Sequence, residues 1–205
     1  VCRLNYATFG VSVAEAIAQS SKQIDVCIEQ APKVHFVGHS LGGLVIRAYL
    51  QNNPNNQHKL KKERMGHVVL IGTPNKGSEL ADYISDSWLM KAAGGVSRAL
   101  VTGDKSLGNN LDDIKKNSGV KLGVIAGTKP LALTNARFNG PNDGLVSVAS
   151  AKLNSMSDFI TIDVGHSQMR YNAEVAKQTV HFLQTAHFIP TRMNQCLPQN
   201  ASSGF

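Results

Sequence analysis

Residues 33–44 read KVHFVGHSLGGL and set a short β-rich run, 33–37, against a segment of helical spacing, 44–51. Between them lies Gly38-His39-Ser40-Leu41-Gly42, a glycine-flanked serine at a strand-to-helix turn. A serine hydroxyl is a weak nucleophile until a base takes its proton, and it must stand clear of the backbone to reach a carbonyl. A tight turn does that. Glycines two before and two after the serine remove side chains that would strike the adjoining strand and helix. The backbone N–H of Leu41, at the start of the helix, is then the candidate oxyanion donor.

Outward from this turn the chain alternates. A strand at 2–6 and a helix over 13–30 come first, the helix carrying Val13, Ile17, Ile24 and Ile28 at helical spacing and ending at Pro32. A continuous apolar run at 67–71 has the character of a strand buried on both faces, and 121–126 and 159–164 are read as further buried strands. A helix begins near Glu79, and a last one spans 172–185 with Val175, Thr179, Phe182 and Leu183 on one side. Residues 88–117 mix short helical patterns with glycines. The fold class is therefore α/β: a mostly parallel sheet with helices on both faces. One domain is expected over 1–188, followed by a polar tail over 189–205.

A serine elbow of this kind requires its partners in the order serine, acid, histidine, each on a loop after a later strand. His166 follows the strand at 159–164 and precedes the last helix. Asp143 lies in Gly-Pro-Asn-Asp-Gly-Leu-Val (140–146), after the third buried strand and its connecting loop. Ser40, Asp143 and His166 are the candidate catalytic residues. Asp163 lies only three residues before His166 and within the strand, Asp158 precedes that strand, and Asp112 and Asp113 fall in a helical stretch. His35 and His67 sit on or beside strands, while His181 and His187 belong to the last helix and its end. His39 is placed to line the pocket, but not to serve as the base.

The whole composition fits one globular domain. The 205 residues are 42% hydrophobic and 17% charged, which excludes a disordered chain or a coiled coil. A net charge of +7 raises nucleic-acid binding. The basic residues are scattered, however, apart from Lys59, Lys61, Lys62 and Arg64, and aromatic side chains that would stack bases are not interleaved with them. No nucleic-acid partner is expected. Apolar runs stop short of the ~18–20 residues that cross a bilayer. Cys2, Cys27 and Cys196, odd in number and far apart, argue against a disulfide framework and a zinc site. The chain opens at Val1 with no basic and apolar leader pattern, and the sequence assigns neither compartment nor oligomeric state.

Residues 33–44 (KVHFVGHSLGGL), 69–80 (VLIGTPNKGSEL), 142–147 (NDGLVS) and 165–169 (GHSQM) together resemble bacterial lipases and esterases of the α/β-hydrolase superfamily. The resemblance extends from Leu4 to about Phe188. It implies cleavage of carboxylic esters, small or lipid, through an acyl-enzyme, with no cofactor. Calcium occurs in some relatives, but no ligand cluster here calls for a metal. Within 85–118, around Trp88, Leu89, Met90 and Val96, such enzymes carry a lid, and the segment is read either as a small lid or as an ordinary core-facing helix. His39, Trp88 and Met169 are the candidate substrate-binding residues.

The family's earlier strand and its His-Gly-type loop, source of a second oxyanion N–H, have no counterpart in this sequence. One such donor contributes roughly 2.7–4 kcal/mol to the transition state. The expectation is thus a C-terminal portion of a longer hydrolase, or else a sheet in which the flanking strands pair directly. Two alternatives stay open: a catalytically silent lipid- or acyl-binding fragment without a complete oxyanion hole, and an acyltransferase using the same nucleophile.

Overall fold

A computed structural model of the chain describes residues 1–5, 11, 13–51, 62–78 and 120–190. Among them, four parallel strands form one sheet in the order β1 (Val34–His39), β2 (Met65–Ile71), β3 (Leu122–Gly127) and β4 (Asp158–Ile162). The helices are α1 (Val13–Ile28), α2 (Leu41–Gln51), the short α3 (Val148–Ala151) and α4 (Ala173–Thr185). A 3-10 helix at His166–Tyr171 leads into α4.

Strand periodicity sorts the core into two layers. Val34 and Phe36 of β1, Val68 and Leu70 of β2, and Leu122, Val124 and Ala126 of β3 face one side, where they meet Ile24, Ile28, Ile46 and Tyr49 of α1 and α2. The alternate residues Val69, Ile71 and Ile125 face the other, against Val175 and Phe182 of α4. Helices therefore cover both faces, as the unbroken apolar runs require. Asn172 caps α4, its Oδ1 accepting from the Glu174 and Val175 N–H groups at 2.9 and 3.0 Å.

Several element bounds differ from expectation. Residues 2–5 form no strand: the Asn5 N–H donates to Gln23 Oε1 and the Asn5 carbonyl accepts from Gln23 Nε2, so both backbone groups of Asn5 are taken up by α1. Leu4 packs on the first core layer. Cys2 and Cys27 form a disulfide with a Cα–Cα separation of 6.0 Å, which corrects the expectation that their number and spacing argue against disulfide bonding. Pairing follows space rather than sequence spacing, and Cys196 lies outside the described residues. β4 stops at Ile162 because the Val164 N–H turns back to the Ile162 carbonyl at 2.8 Å. The helix expected from Glu79, the lid expected within 85–118, and the tail from residue 191 also lie outside the described residues. No helix among those described is long and apolar enough to cross a membrane.

Candidate active site

The site sits at the C-terminal edge of the sheet, where every strand delivers its loop to the same end. The Ser40 N–H continues the β1–β2 ladder by donating to the Ile71 carbonyl at 2.9 Å. The chain then turns at once into α2, with Ser40 at a φ of +54°, a left-handed conformation that non-glycine residues seldom adopt. Two close approaches make the turn possible. A β-carbon at Gly38 would lie 2.7 Å from the backbone of Gly43, and one at Gly43 would lie 2.0 Å from Thr73 Oγ1. The second glycine contact is thus made by Gly43, one residue beyond the position that the spacing suggested. Because glycines are poor helix formers, residue 44 looked like the helix start. α2 in fact begins at Leu41, whose N–H belongs to the first turn, where no helical carbonyl is available to it.

Asp143 and His166 are brought to Ser40 from the far side. Asp143, only 1% exposed, lies in the turn between β3 and α3. Its Oδ1 accepts from the N–H groups of Leu145 and Val146 at 3.0 and 2.8 Å, which fixes the carboxyl group. Oδ2 is then left for His166 Nδ1, 2.8 Å away. The His166 N–H also donates to the Asp143 carbonyl at 2.9 Å, so main chain and side chain are both anchored to one residue. A carboxylate oxygen accepts, so Nδ1 carries the hydrogen and Nε2 presents its lone pair. Ser40 Oγ lies 2.9 Å from that Nε2. Burial falls along the row: Asp143 and His166 are buried and Ser40 is half-buried.

The motifs between these residues form the scaffold. Arg47 of α2, 1% exposed, donates through Nη1 to Asn75 Oδ1 and to the Asn75 carbonyl, both at 3.3 Å. Asn75 Nδ2 donates to the Ala151 carbonyl at 2.7 Å, and Ser78 Oγ donates to the Leu145 carbonyl at 2.5 Å. The GTPNKGS loop therefore ties the serine-bearing helix to the loop that carries Asp143.

Gly72 went unrecognised from sequence as a site residue. It has a φ of +53°, and a β-carbon there would come within 3.2 Å of Asp143 Oδ2 and 3.3 Å of His166 Nδ1. A glycine ending a buried strand at the sheet's C-terminal edge was the available signal.

The three candidate substrate-binding residues diverge. Met169 is 1% exposed, belongs to the second core layer and packs its Sδ towards Gly72. Trp88 lies outside the described residues. His39 turns its ring to the His166 turn: Nε2 is 3.0 Å from the His166 carbonyl oxygen. Burial, reinforced by His166 and Arg170, lowers the His39 pKa to about 4 despite the opposing pull of that carbonyl and Asp143. Asp163 and Asp158 stand away from the site, Asp163 exposed and Asp158 accepting from the Phe188 N–H at 2.8 Å. Among the described residues, no group of three or more His, Cys, Asp or Glu side chains is arranged to hold a metal ion.

A parallel sheet covered on both faces, with a serine elbow at its C-terminal edge, defines an α/β-hydrolase fold. Solved structures agree. The mature lipase BlEst2 of Bacillus licheniformis superimposes with a TM-score of 0.64 at 22% identity, over 84% of this chain and 74% of that one. Its propeptide form gives 0.67 at 21%, over 91% of this chain and 43% of that one. The metagenomic carboxyl esterase MGS0156 gives 0.57 at 18%, over 80% and 54%. The chain thus spans about half or less of the length of two of these neighbours. No family model and no curated protein matches the sequence.

Proposed function

We propose that the chain is a lipase- or esterase-like hydrolase of carboxylic esters with Ser40 as nucleophile. The observation that carries this reading is the unbroken row from Asp143 Oδ2 through His166 to Ser40 Oγ, with links of 2.8 and 2.9 Å. His166 Nε2 takes the hydroxyl proton as Oγ attacks the ester carbonyl carbon. Asp143 holds the imidazole in the productive tautomer and stabilises its cationic form. The oxyanion develops towards the Leu41 N–H at the start of α2, where the helix dipole also favours negative charge. Collapse breaks the ester C–O bond, and the departing alkoxide takes the proton from Nε2. Water, deprotonated by the same nitrogen, then releases the acid and restores Ser40.

Support at the level of fold comes from the lipase and esterase neighbours. The domain is read as 1–188, and the substrate as an ester with an apolar acyl chain. The test is hydrolysis of p-nitrophenyl butyrate. Turnover that disappears in Ser40→Ala is the expected result, and turnover that survives the substitution contradicts the reading.

A further inference from the structure

A second imidazole stands at the elbow. His39 is the last residue of β1, one place before Ser40, and pairs in register with Ile71. Alternation along the strand sets it opposite the face on which Gly38 meets the backbone of Gly43, and so towards the His166 turn. The rings of His39 and His166 lie with centroids 4.9 Å apart and planes tilted by 46°. His39 Nε2 reaches the main-chain carbonyl of residue 166, not its imidazole. A carbonyl oxygen only accepts, so Nε2 carries the hydrogen and donates.

Besides its contacts with Ser40 and His39, His166 is bonded to Asp143, through Nδ1 to the carboxylate and through its N–H to the main-chain carbonyl. The His39 bond is of another kind. It joins the strand that delivers the serine directly to the turn that delivers the histidine, without passing through the reacting atoms. We propose that His39 is a positioning residue, donating Nε2–H to the His166 carbonyl and so setting the approach of His166 Nε2 to Ser40 Oγ. This rests on the reading of Ser40 and His166 as nucleophile and base. The charged or titratable groups facing His39 are His166, Arg170 and Asp143. Its low pKa keeps the ring neutral through the range in which esters are cleaved, so no second cation competes with the imidazolium formed at His166.

A matched pair of variants tests this. His39→Gln keeps an N–H donor at similar reach, whereas His39→Met has nearly the same shape and no donor; His39→Leu is a second donorless variant. The readouts are the rate of Ser40 labelling by a fluorophosphonate, kcat and KM on p-nitrophenyl butyrate, and the melting midpoint. A displacement of about 1 Å at a reacting pair costs on the order of 100-fold. The donorless variants should therefore lose about 10- to 100-fold in labelling rate and kcat, with KM within about twofold. His39→Gln should stay within about threefold of the parent. Donorless variants that label at the parental rate overturn the proposal, as does a Gln variant that falls as far as Met at equal melting midpoint. A parent chain that does not label at all overturns the reading of Ser40 as well, which separates the two failures.

Discussion

Gly72 stands directly behind the hydrogen bond between Asp143 and His166, close enough that a single added carbon would press on both atoms of that bond. The same carbon would meet Met169 Sδ at 2.9 Å, and the backbone there is left-handed. Gly72→Ala should cost about 1–2 kcal/mol in backbone strain alone, lowering the melting midpoint by a few degrees. It should also displace the carboxyl–imidazole pair and reduce kcat by about 10- to 100-fold. Thermal melting and ester hydrolysis check the two effects separately.

The two oxygens of Asp143 have separate tasks, and substitution can divide them. In Asp143→Asn the amide oxygen can still accept from Leu145 and Val146, preserving the turn. The amide nitrogen would then face His166 Nδ1 and favour the tautomer that cannot accept from Ser40. Its kcat should fall by about 10⁴-fold with little loss of stability. Asp143→Ala should lose similar activity and also leave two main-chain donors unsatisfied, at about 1–3 kcal/mol each. A melting midpoint clearly lower for Ala than for Asn is the expected signature.

Much of this arrangement is legible in the amino-acid order because a tight strand-to-helix turn and the loops after later strands constrain which residues can stand there. Gly38 and Ser40 mark the turn, and the order serine, acid, histidine leaves Asp143 and His166 as the partners. β2 and β3 were visible as apolar runs for a related reason: a strand covered on both faces has no polar alternation to confuse with a loop, whereas β1 is buried at alternate residues and β4 is only partly buried. Other features depend on contacts between distant segments. The bond from His39 to the carbonyl of residue 166 and the approach of Gly72 to Asp143 leave no local signature. Residues 2–5 have strand-like composition, but Gln23 of α1 takes both backbone groups of Asn5, and Cys27 meets Cys2 there.

Three histidines should make the fold acid-sensitive. The pKa of His39 is lowered to about 4, and those of His35 and His67 are also lowered, mainly by burial. His35 Nδ1 accepts from the His67 N–H at 2.9 Å, a bond that protonation of that nitrogen would break. All three groups bind protons more readily in the unfolded chain, so stability is full above about pH 6.5 and declines as pH falls towards 4. His39 alone should contribute about 2 kcal/mol to that decline, after allowance for its partial exposure. Denaturant titrations at pH 7.5 and pH 4.5 measure the slope, and its sign should reverse if the histidines are stabilised as cations.

The Cys2–Cys27 bond closes a segment with a sequence separation of 25 residues. By the chain-entropy relation, its loss should destabilise the fold by about 3.5 kcal/mol. Cys2→Ser and treatment with a reductant should lower the melting midpoint to a similar extent, and reductant should have no added effect on the variant. Ester hydrolysis at a temperature well below both midpoints should be unaffected, because the bond lies at α1, away from Ser40.

Reaction with a fluorophosphonate, followed by peptide mass mapping, tests the central claim most directly, since it needs no knowledge of the natural substrate. One adduct on the peptide containing Ser40 is predicted, forming rapidly near neutral pH, lost in Ser40→Ala and slowed by orders of magnitude in His166→Ala. An intact, folded chain that stays unmodified, or that carries the adduct on another residue, would contradict it.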